Sequence, residues 1–325
     1  MINCKIVIAG GTGFIGQALI DYFGKDNQVI ILTRQLSGHN NAYGVRPGEA
    51  MLSNTQFVKW DARNEGEWSN VIDGADLVIN LCGKSVNCRY TAKNKQEIFD
   101  SRTYSTNAIG EALRNATKPP KLWINASSAT IYRHATDRPQ DEQTGEIQDG
   151  FSVEVCKLWE KIFFENRTPF TRKLALRTAI ALGVGGVMIP YFNLLKFGLG
   201  GKQASGRQMY SWVHVLDVCR MMEWTFENKE AEGVFNCSSP NPLPNAVFMQ
   251  TLRKACGVNF GLPASKWMLK IGAAIIGTET ELILKSRWVV PTRALEAGFK
   301  FQYPLLGDAL REIVAKTPRR KYSLF

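Results

Sequence analysis

Apolar residues arrive in short runs, separated by stretches of helical length. Lys5-Ile6-Val7-Ile8-Ala9 is the first run, rich in β-branched residues, and it reads as a buried strand. Gln28–Arg34, Phe57–Asp61, Asp76–Leu81, Lys121–Ala126 and Leu174–Ala179 repeat it. Between them lie an apolar helix-competent segment at Gln17–Phe23 and a polar-rich helix over about 91–115. Continuous apolar strands alternating with helices predict a parallel sheet with both faces covered. The uncharged run Thr178–Leu195 carries Gly183, Gly185, Gly186 and Pro190, so it is expected to be a buried strand followed by a loop, not a membrane span. Further on, Asp217 is expected to cap a helix with apolar positions at Val218, Met221, Met222 and Trp224. Glu279–Arg287 reads as an amphipathic, charged helix. With the segment 299–304 it would form a partner surface or close over a substrate.

Composition changes this picture little. The 325 residues are 45% hydrophobic and 21% charged, which fits a globular chain and excludes a disordered or collagen-like one. Seven scattered Cys without a C-x-x-C pair point to reduced thiols and a cytoplasmic setting. The three His stand too far from Cys or one another to suggest a metal site, and none is expected. The net charge of +11 raises anionic partners. It is uneven: residues 251–325 hold 13 Lys+Arg against 5 Asp+Glu. The Arg319-Arg320-Lys321 block reads as a solvated tail, and no nucleic-acid-binding pattern of basic and aromatic residues is present.

The candidate chemistry begins at the end of the first strand. Gly10, Gly13 and Gly16 form G-x-x-G-x-x-G, with Thr12, Phe14 and Ile15 between them, and a helix follows. Strand, glycine loop and helix is the context of a dinucleotide fingerprint. Gly10 would allow the tight turn, Gly13 the approach of a pyrophosphate, and Gly16 close helix–strand packing. The helix N-terminus then offers N–H groups and a positive dipole end to phosphate. The second strand ends in Thr33-Arg34, with no acid to accept a ribose 2′-hydroxyl. A guanidinium there suits a 2′-phosphate, so NADP(H) is expected over NAD(H). Asp61, at the end of the third strand, is placed either to meet the adenine amine or as an ordinary strand-end Asp. The fold class expected is α/β, a Rossmann-like doubly wound parallel sheet with a smaller C-terminal α/β cap. Residues 1–180, with a return at 212–237, would form the nucleotide domain and residues 181–325 the cap.

These residues resemble the extended short-chain dehydrogenase/reductases, the NAD(P)-dependent epimerase/dehydratase class. The resemblance rests on Gly10–Gly16, Asp61, Leu81-Cys82-Gly83, Ser127-Ser128-Ala129-Thr130-Ile131-Tyr132 and Ser211–Asp217. More narrowly the chain is similar to an atypical "epimerase family protein" group with a C-terminal domain of unknown function. The marks of that group are Ser101-Arg102, Cys156–Glu160, Gly206-Arg207-Gln208, Gly261-Leu262-Pro263, Gly277-Thr278-Glu279, Lys285-Ser286-Arg287 and Glu296–Phe299. The resemblance implies cofactor contacts at Leu81, Cys82, Gly83 and Arg102.

The class usually works with Tyr-x-x-x-Lys and a hydroxyl partner. No Tyr of this sequence is followed four residues later by Lys. Aligned on Glu160, Ser152 takes the Tyr position and Cys156 the Lys position; Lys157 is one residue off. The candidate catalytic residues are therefore Ser128, matching the hydroxyl partner, Tyr132, Ser152, and Cys156 if its pKa were lowered by Lys157 or a helix terminus. Each has a plain alternative as a packing residue. Asn193, Arg207, Gln208, Trp212 and His214 fall in segments that line the substrate cleft of this superfamily. The reading expected is an NADP(H)-dependent oxidoreductase or epimerase-like enzyme on a polar small molecule, with a phosphorylated substrate and a homodimeric protein as further expectations. The alternatives are an NADP(H) sensor that has lost its catalytic set, and a protein acting on a macromolecule through its basic C-terminal region.

Overall fold

The structure, a computed structural model, describes residues 1–36, 54–270, 279 and 281–323. Seven parallel strands form the central sheet: β1 (Lys5–Ala9), β2 (Gln28–Thr33), β3 (Thr55–Lys59), β4 (Leu77–Asn80), β5 (Leu122–Ser128), β6 (Arg172–Thr178) and β10 (Gly233–Cys237). Their order is β10-β6-β5-β4-β1-β2-β3. The sequence reverses direction between β1 and β4, the topological switch point where ligands bind in open α/β sheets.

The alternation of side chains on each strand fills two separate cores. On one face Ile6 and Ile8 of β1 pack with Leu19 and Phe23 of α1 (Phe14–Phe23) and with Val218, Met221 and Met222 of α5 (Val215–Glu227). On the other, Val7 and Ala9 pack with Ala108 and Ile109 of α2 (Ala92–Asn115) and Phe163 of α3 (Phe151–Glu165). Every strand of the sheet centre is buried on both sides, which is why the runs are apolar without alternation. Trp123 lies edge-on to Phe163, ring centroids 4.6 Å apart, and fixes α3 over β5.

A third core joins α4 (Met188–Lys196), α6 (Asn245–Ala255) and the C-terminal helix α7 (Leu306–Ala315) through Phe192, Leu195, Phe248, Leu252, Leu310 and Ile313. Two small strand pairs accompany it: β7 (Ile180–Leu182) with β9 (Trp212–His214), and β8 (Met209–Tyr210) with β11 (Leu243–Pro244).

Four expectations change. The segment after β7 is a helix, α4, not a loop: Pro190 sits in its first turn, where no backbone N–H is required. Asp217 does not cap α5. The cap is His214, whose Nδ1 accepts the Leu216 N–H at 3.2 Å. Fully buried Asp217 instead accepts the N–H groups of Gln302 and Tyr303 at 2.7 and 2.9 Å, and Phe299 enters the core, so the segment 299–304 is packing rather than a free surface. Within 279–287, only Glu281–Leu284 is described as helical; Lys285 is a bend closing that turn through its N–H to Glu281 O, and Ser286 and Arg287 follow without regular structure. Gly277 and Thr278, two marks of the resemblance, lie outside the described residues. Among the described residues no helix is long and apolar enough to cross a membrane.

Candidate functional site

The carboxyl ends of β1, β4 and β5 form the floor of the site. Gly10 turns the chain with φ +76°, and a side chain there would meet the Leu81 carbonyl carbon at 3.0 Å. A side chain on Gly16 would overlap the backbone of Gly11, so Gly16 and Gly11 together let α1 settle against the loop. Gly13 differs. A Cβ there would meet only Gly10 O, at 3.6 Å, so the fold itself does not require glycine at this position. Gly13 is the N-cap of α1, offers no side-chain cap, and no acidic residue stands in the first turn. The first N–H groups of α1 therefore lack side-chain partners at a positive dipole end. Open space before such a terminus fits a pyrophosphate. Thr12 is half-buried, Phe14 lies against Gly183 and Gly186, and Ile15 packs on the core.

At the end of β2, the Thr33 hydroxyl bonds both backbone groups of Gln35, leaving Arg34 exposed. The β2–β3 register sets Thr33 beside Lys59. Arg34 and Lys59 line a polar hollow of about 390 Å³ with Gln35 and Leu36. Lys59 was visible in the sequence as a strand residue; only the parallel pairing brings it beside Arg34. Asp61 lies exposed just beyond β3, its carboxyl held below the usual range by N–H bonds from Asn64 and Arg63, at 2.9 and 2.8 Å. Its oxygens close a turn.

At the end of β4, Asn80 is fully buried and bonded to Asn125 at 2.8 Å. Its other side-chain atom accepts the Cys82 N–H at 3.0 Å and so orients Leu81-Cys82-Gly83 beneath Gly10. Burial pushes the Cys82 thiol up to about 12, against the pull of nearby Arg34 and Arg102. Arg102 reaches from α2, its guanidinium 2.9 Å from where a Gly83 side chain would begin. It donates to the carbonyls of Lys84 and Ile98 and lies over the Trp159 ring. No carboxylate pairs with it among the described residues, and burial lowers its pKa.

At the end of β5, the half-buried Ser128 donates to Thr130 Oγ1 at 3.1 Å and accepts the Thr130 N–H. Ser152 and Cys156 are both buried on α3. Burial raises the Cys156 thiol to about 11, the opposite direction to the lowering that a thiolate role would need. Lys157 points away, to Glu154. Tyr132 is held in a network of its own. It is fully buried, donates to Asn236 Oδ1 at 3.0 Å and accepts from Arg177 at 2.8 Å. Arg177 is locked in turn by a bidentate pair with Glu160.

Three side chains without an expected catalytic role converge here: Tyr90, which the sequence did not single out, and Lys285 and Arg287, which entered only as marks of the resemblance. The Tyr90 hydroxyl is buried and approaches Ser152 without completing a hydrogen bond, and its ring packs on Phe151 at 4.6 Å. Lys285 Nζ donates to Thr130 O at 2.8 Å, and Arg287 Nε approaches Thr130 Oγ1 at 3.4 Å. The Lys285-Ser286-Arg287 motif was the sequence signal for the last two, but it carried no indication that they would meet Thr130.

The residues expected from the cap do not gather at this cleft. Asn193 and Arg207 are exposed. Gln208 is buried, bonded to Gln203 O and Ser205 within its own loop. Trp212 lies at 0% exposure in the cap core, its Nε1 donating to Asn241 O. His214 is buried and bonded to Glu312 at 3.1 Å. It lines a cavity of about 580 Å³ between α1, α5 and α7, shared with Thr12, Gly13 and Gly183.

The geometry agrees with comparisons to known proteins. The model of the NAD dependent epimerase/dehydratase family matches residues 6–153, and that of a domain of unknown function, DUF1731, matches residues 264–313. The epimerase family protein SSP1921 of Staphylococcus saprophyticus is 32% identical over 95% of this chain and 98% of its own length. The chain belongs to the epimerase family. YfhF of Bacillus subtilis, another member, is 31% identical over 96% of the chain and 98% of its own. The crystal structure of human epimerase family protein SDR39U1 with NADPH superposes with a TM-score of 0.82 at 25% identity, covering 96% of this chain and 99% of that one. A nucleoside-diphosphate sugar epimerase from Corynebacterium glutamicum gives a TM-score of 0.72, also at 25% identity, over 96% of this chain and 58% of that one. Fold and family thus make this an epimerase/oxidoreductase-like protein with a nucleotide fold of the NAD(P)(H) type.

Proposed function

We propose that this epimerase-family chain binds NADP(H) and performs oxidoreductase or epimerase chemistry on a polar small molecule. The observation that carries the reading is the placing of the Arg34–Lys59 hollow, the glycine loop and Ser128 at the carboxyl ends of β2, β1 and β5, strands of one parallel sheet. Arg34 and Lys59 offer two cations to a 2′-phosphate, and no carboxylate at the end of β2 competes for a ribose hydroxyl. Gly13 and the first N–H groups of α1 would hold the pyrophosphate, with Leu81-Cys82-Gly83 beneath it. When bound, the nicotinamide donates or accepts a hydride. The chain's part is then to orient a substrate oxygen, with the Ser128–Thr130 hydroxyl pair as donor. The NADPH in the solved human relative supports the same cofactor choice.

A second reading has one observation in its favour. Helix α3 carries neither Tyr nor Lys at Ser152 and Cys156, and burial pushes the Cys156 thiol up. A chain that binds NADP(H) without turnover would be a sensor of cofactor state. Both are decided by one experiment. NADPH is titrated by its fluorescence, and the complex is then screened for NADPH oxidation and isotope exchange against carbonyl compounds and nucleotide sugars. Binding with turnover is the expected result, binding without any turnover favours the sensor, and absence of NADPH binding rejects both.

A further inference from the structure

We propose that Lys285, from the C-terminal segment matched by the domain of unknown function, supplies the positive charge at the reacting end of the cleft that helix α3 lacks. The proposal rests on the NADP(H) reading above.

The segment is built into the nucleotide fold rather than laid on it. The Ser286 N–H donates to His134 Nδ1 at 3.0 Å and its hydroxyl to Ala135 O. The Met209 N–H donates to Ser286 Oγ at 2.8 Å, the Arg287 N–H to Met209 O at 2.9 Å, and Ser211 Oγ to Arg287 O at 2.7 Å. Ser286 is fully buried, so the chain on either side of it has little freedom. The residues flanking Ser286 therefore arrive at fixed positions. Lys285 Nζ meets Thr130 O, and that carbonyl belongs to the turn capped by Ser128.

One acceptor satisfies one of the three ammonium N–H groups. No carboxylate pairs with Lys285 among the described residues; Glu281, on the preceding helical turn, is the acid that acts on it through space. Lys285 also lies within electrostatic reach of Cys156, the residue standing where related enzymes carry lysine. A half-buried ammonium with spare donors costs desolvation unless a partner repays it. A substrate oxygen that gains negative charge as it is reduced is such a partner. Arg102 and Arg287 are less suited to the role: Arg102 is held over Trp159 with its Nη1 on two backbone carbonyls, and Arg287 is directed at the Thr130 hydroxyl.

A positive charge at this place discriminates between the two cofactor forms. It repels the cationic ring of NADP+ and leaves the neutral ring of NADPH untouched. The test uses the full-length protein, with NADPH and NADP+ as probes and Kd read by fluorescence. Lys285→Met should lower the ratio Kd(NADP+)/Kd(NADPH) roughly 10- to 100-fold, the range expected for one unit charge about 6–12 Å away at the effective dielectric of a partly buried site. Lys285→Arg should keep the wild-type ratio, because it keeps the charge. An unchanged ratio in Lys285→Met with NADPH still bound overturns the proposal and leaves the NADP(H) reading intact. Failure of wild-type protein to bind NADPH overturns that reading instead. Should Lys285→Met not fold, wild-type protein is acetylated with and without NADPH and the sites are mapped by mass. Protection of Lys285 by NADPH is expected, and an unaltered rate at Lys285 rejects the proposal.

Discussion

Glu160 of α3 grips Arg177 of β6 with both carboxylate oxygens, at 2.8 Å from Nε and 2.7 Å from Nη2. Ser127 donates to the same carboxylate at 2.6 Å, and Tyr132 and Asn236 extend the network to β10. Burial alone would lower the Arg177 pKa, and the Glu160 bonds raise it instead. Four elements beneath the proposed reacting end are thereby joined through one buried ion pair.

Removing one partner strands the other charge. Glu160→Gln should lower stability by about 3–5 kcal/mol, measured as a loss in the urea midpoint. The double change Glu160→Leu with Arg177→Met removes both charges and should recover much of that loss. A double mutant no better than Glu160→Gln would show that the geometry of the pair, not its charge balance, holds the region.

The rim of the proposed cofactor site gives a selective prediction. A hydrogen bond to a charged group is worth about 1.5–3 kcal/mol, so Arg34→Ala should weaken NADPH roughly 10- to 150-fold and barely change NADH. Lys59→Ala should act in the same direction, since Arg34 and Lys59 face one hollow. Paired titrations with NADPH and NADH read the difference. Equal loss for both cofactors would refute the 2′-phosphate assignment.

The glycines of the loop separate structure from binding. Gly16→Ala forces a methyl into the Gly11 backbone and should cost about 1–3 kcal/mol in a urea melt. Gly13 has φ −80°, which alanine adopts without strain, and space for a Cβ. Gly13→Ala should therefore melt like the wild type while binding NADPH poorly. A Gly13→Ala protein that binds normally would move the pyrophosphate away from this turn.

His214 makes stability fall with acid. Burial lowers its pKa below the ordinary histidine value, while Glu312 and Asp217 oppose the shift and Lys316 adds to it. The folded state then binds a proton less readily than the unfolded chain. Its contribution is present above the unfolded pKa near 6.5 and is lost as pH falls below it. The urea midpoint should drop between pH 7.5 and 5.5, and His214→Asn, which keeps a capping acceptor, should drop less. Parallel drops in both proteins would place the titration elsewhere.

How much of this was legible in advance varies by residue. Lys5–Ala9, the glycine loop and the apolar strands could be read locally, because a strand buried on both faces needs an uninterrupted apolar run and a fingerprint needs glycine at fixed spacing. The helix at Met188–Lys196 was missed because glycine and proline signal a break wherever they stand, whereas Pro190 in a first turn breaks nothing. Asp217 differs for a similar reason: a helix-start acid looks like a cap, yet besides Arg220 on the same helix its partners are the N–H groups of Gln302 and Tyr303, 85 and 86 residues on.

The sequence by itself determined the nucleotide fold, the family and the absence of a Tyr–Lys pair on α3, since each is written in neighbouring residues. Tertiary structure alone decided what stands at the proposed reacting end. It set Lys59 beside Arg34 through strand register, buried Tyr132 and Gln208 in satisfied networks, and carried Lys285 back to Thr130 across 155 residues of chain. Local periodicity reports which face of an element is covered. It holds no information about which distant polar group will meet which, because that depends on how the packed elements are stacked and on the desolvation each pairing has to offset.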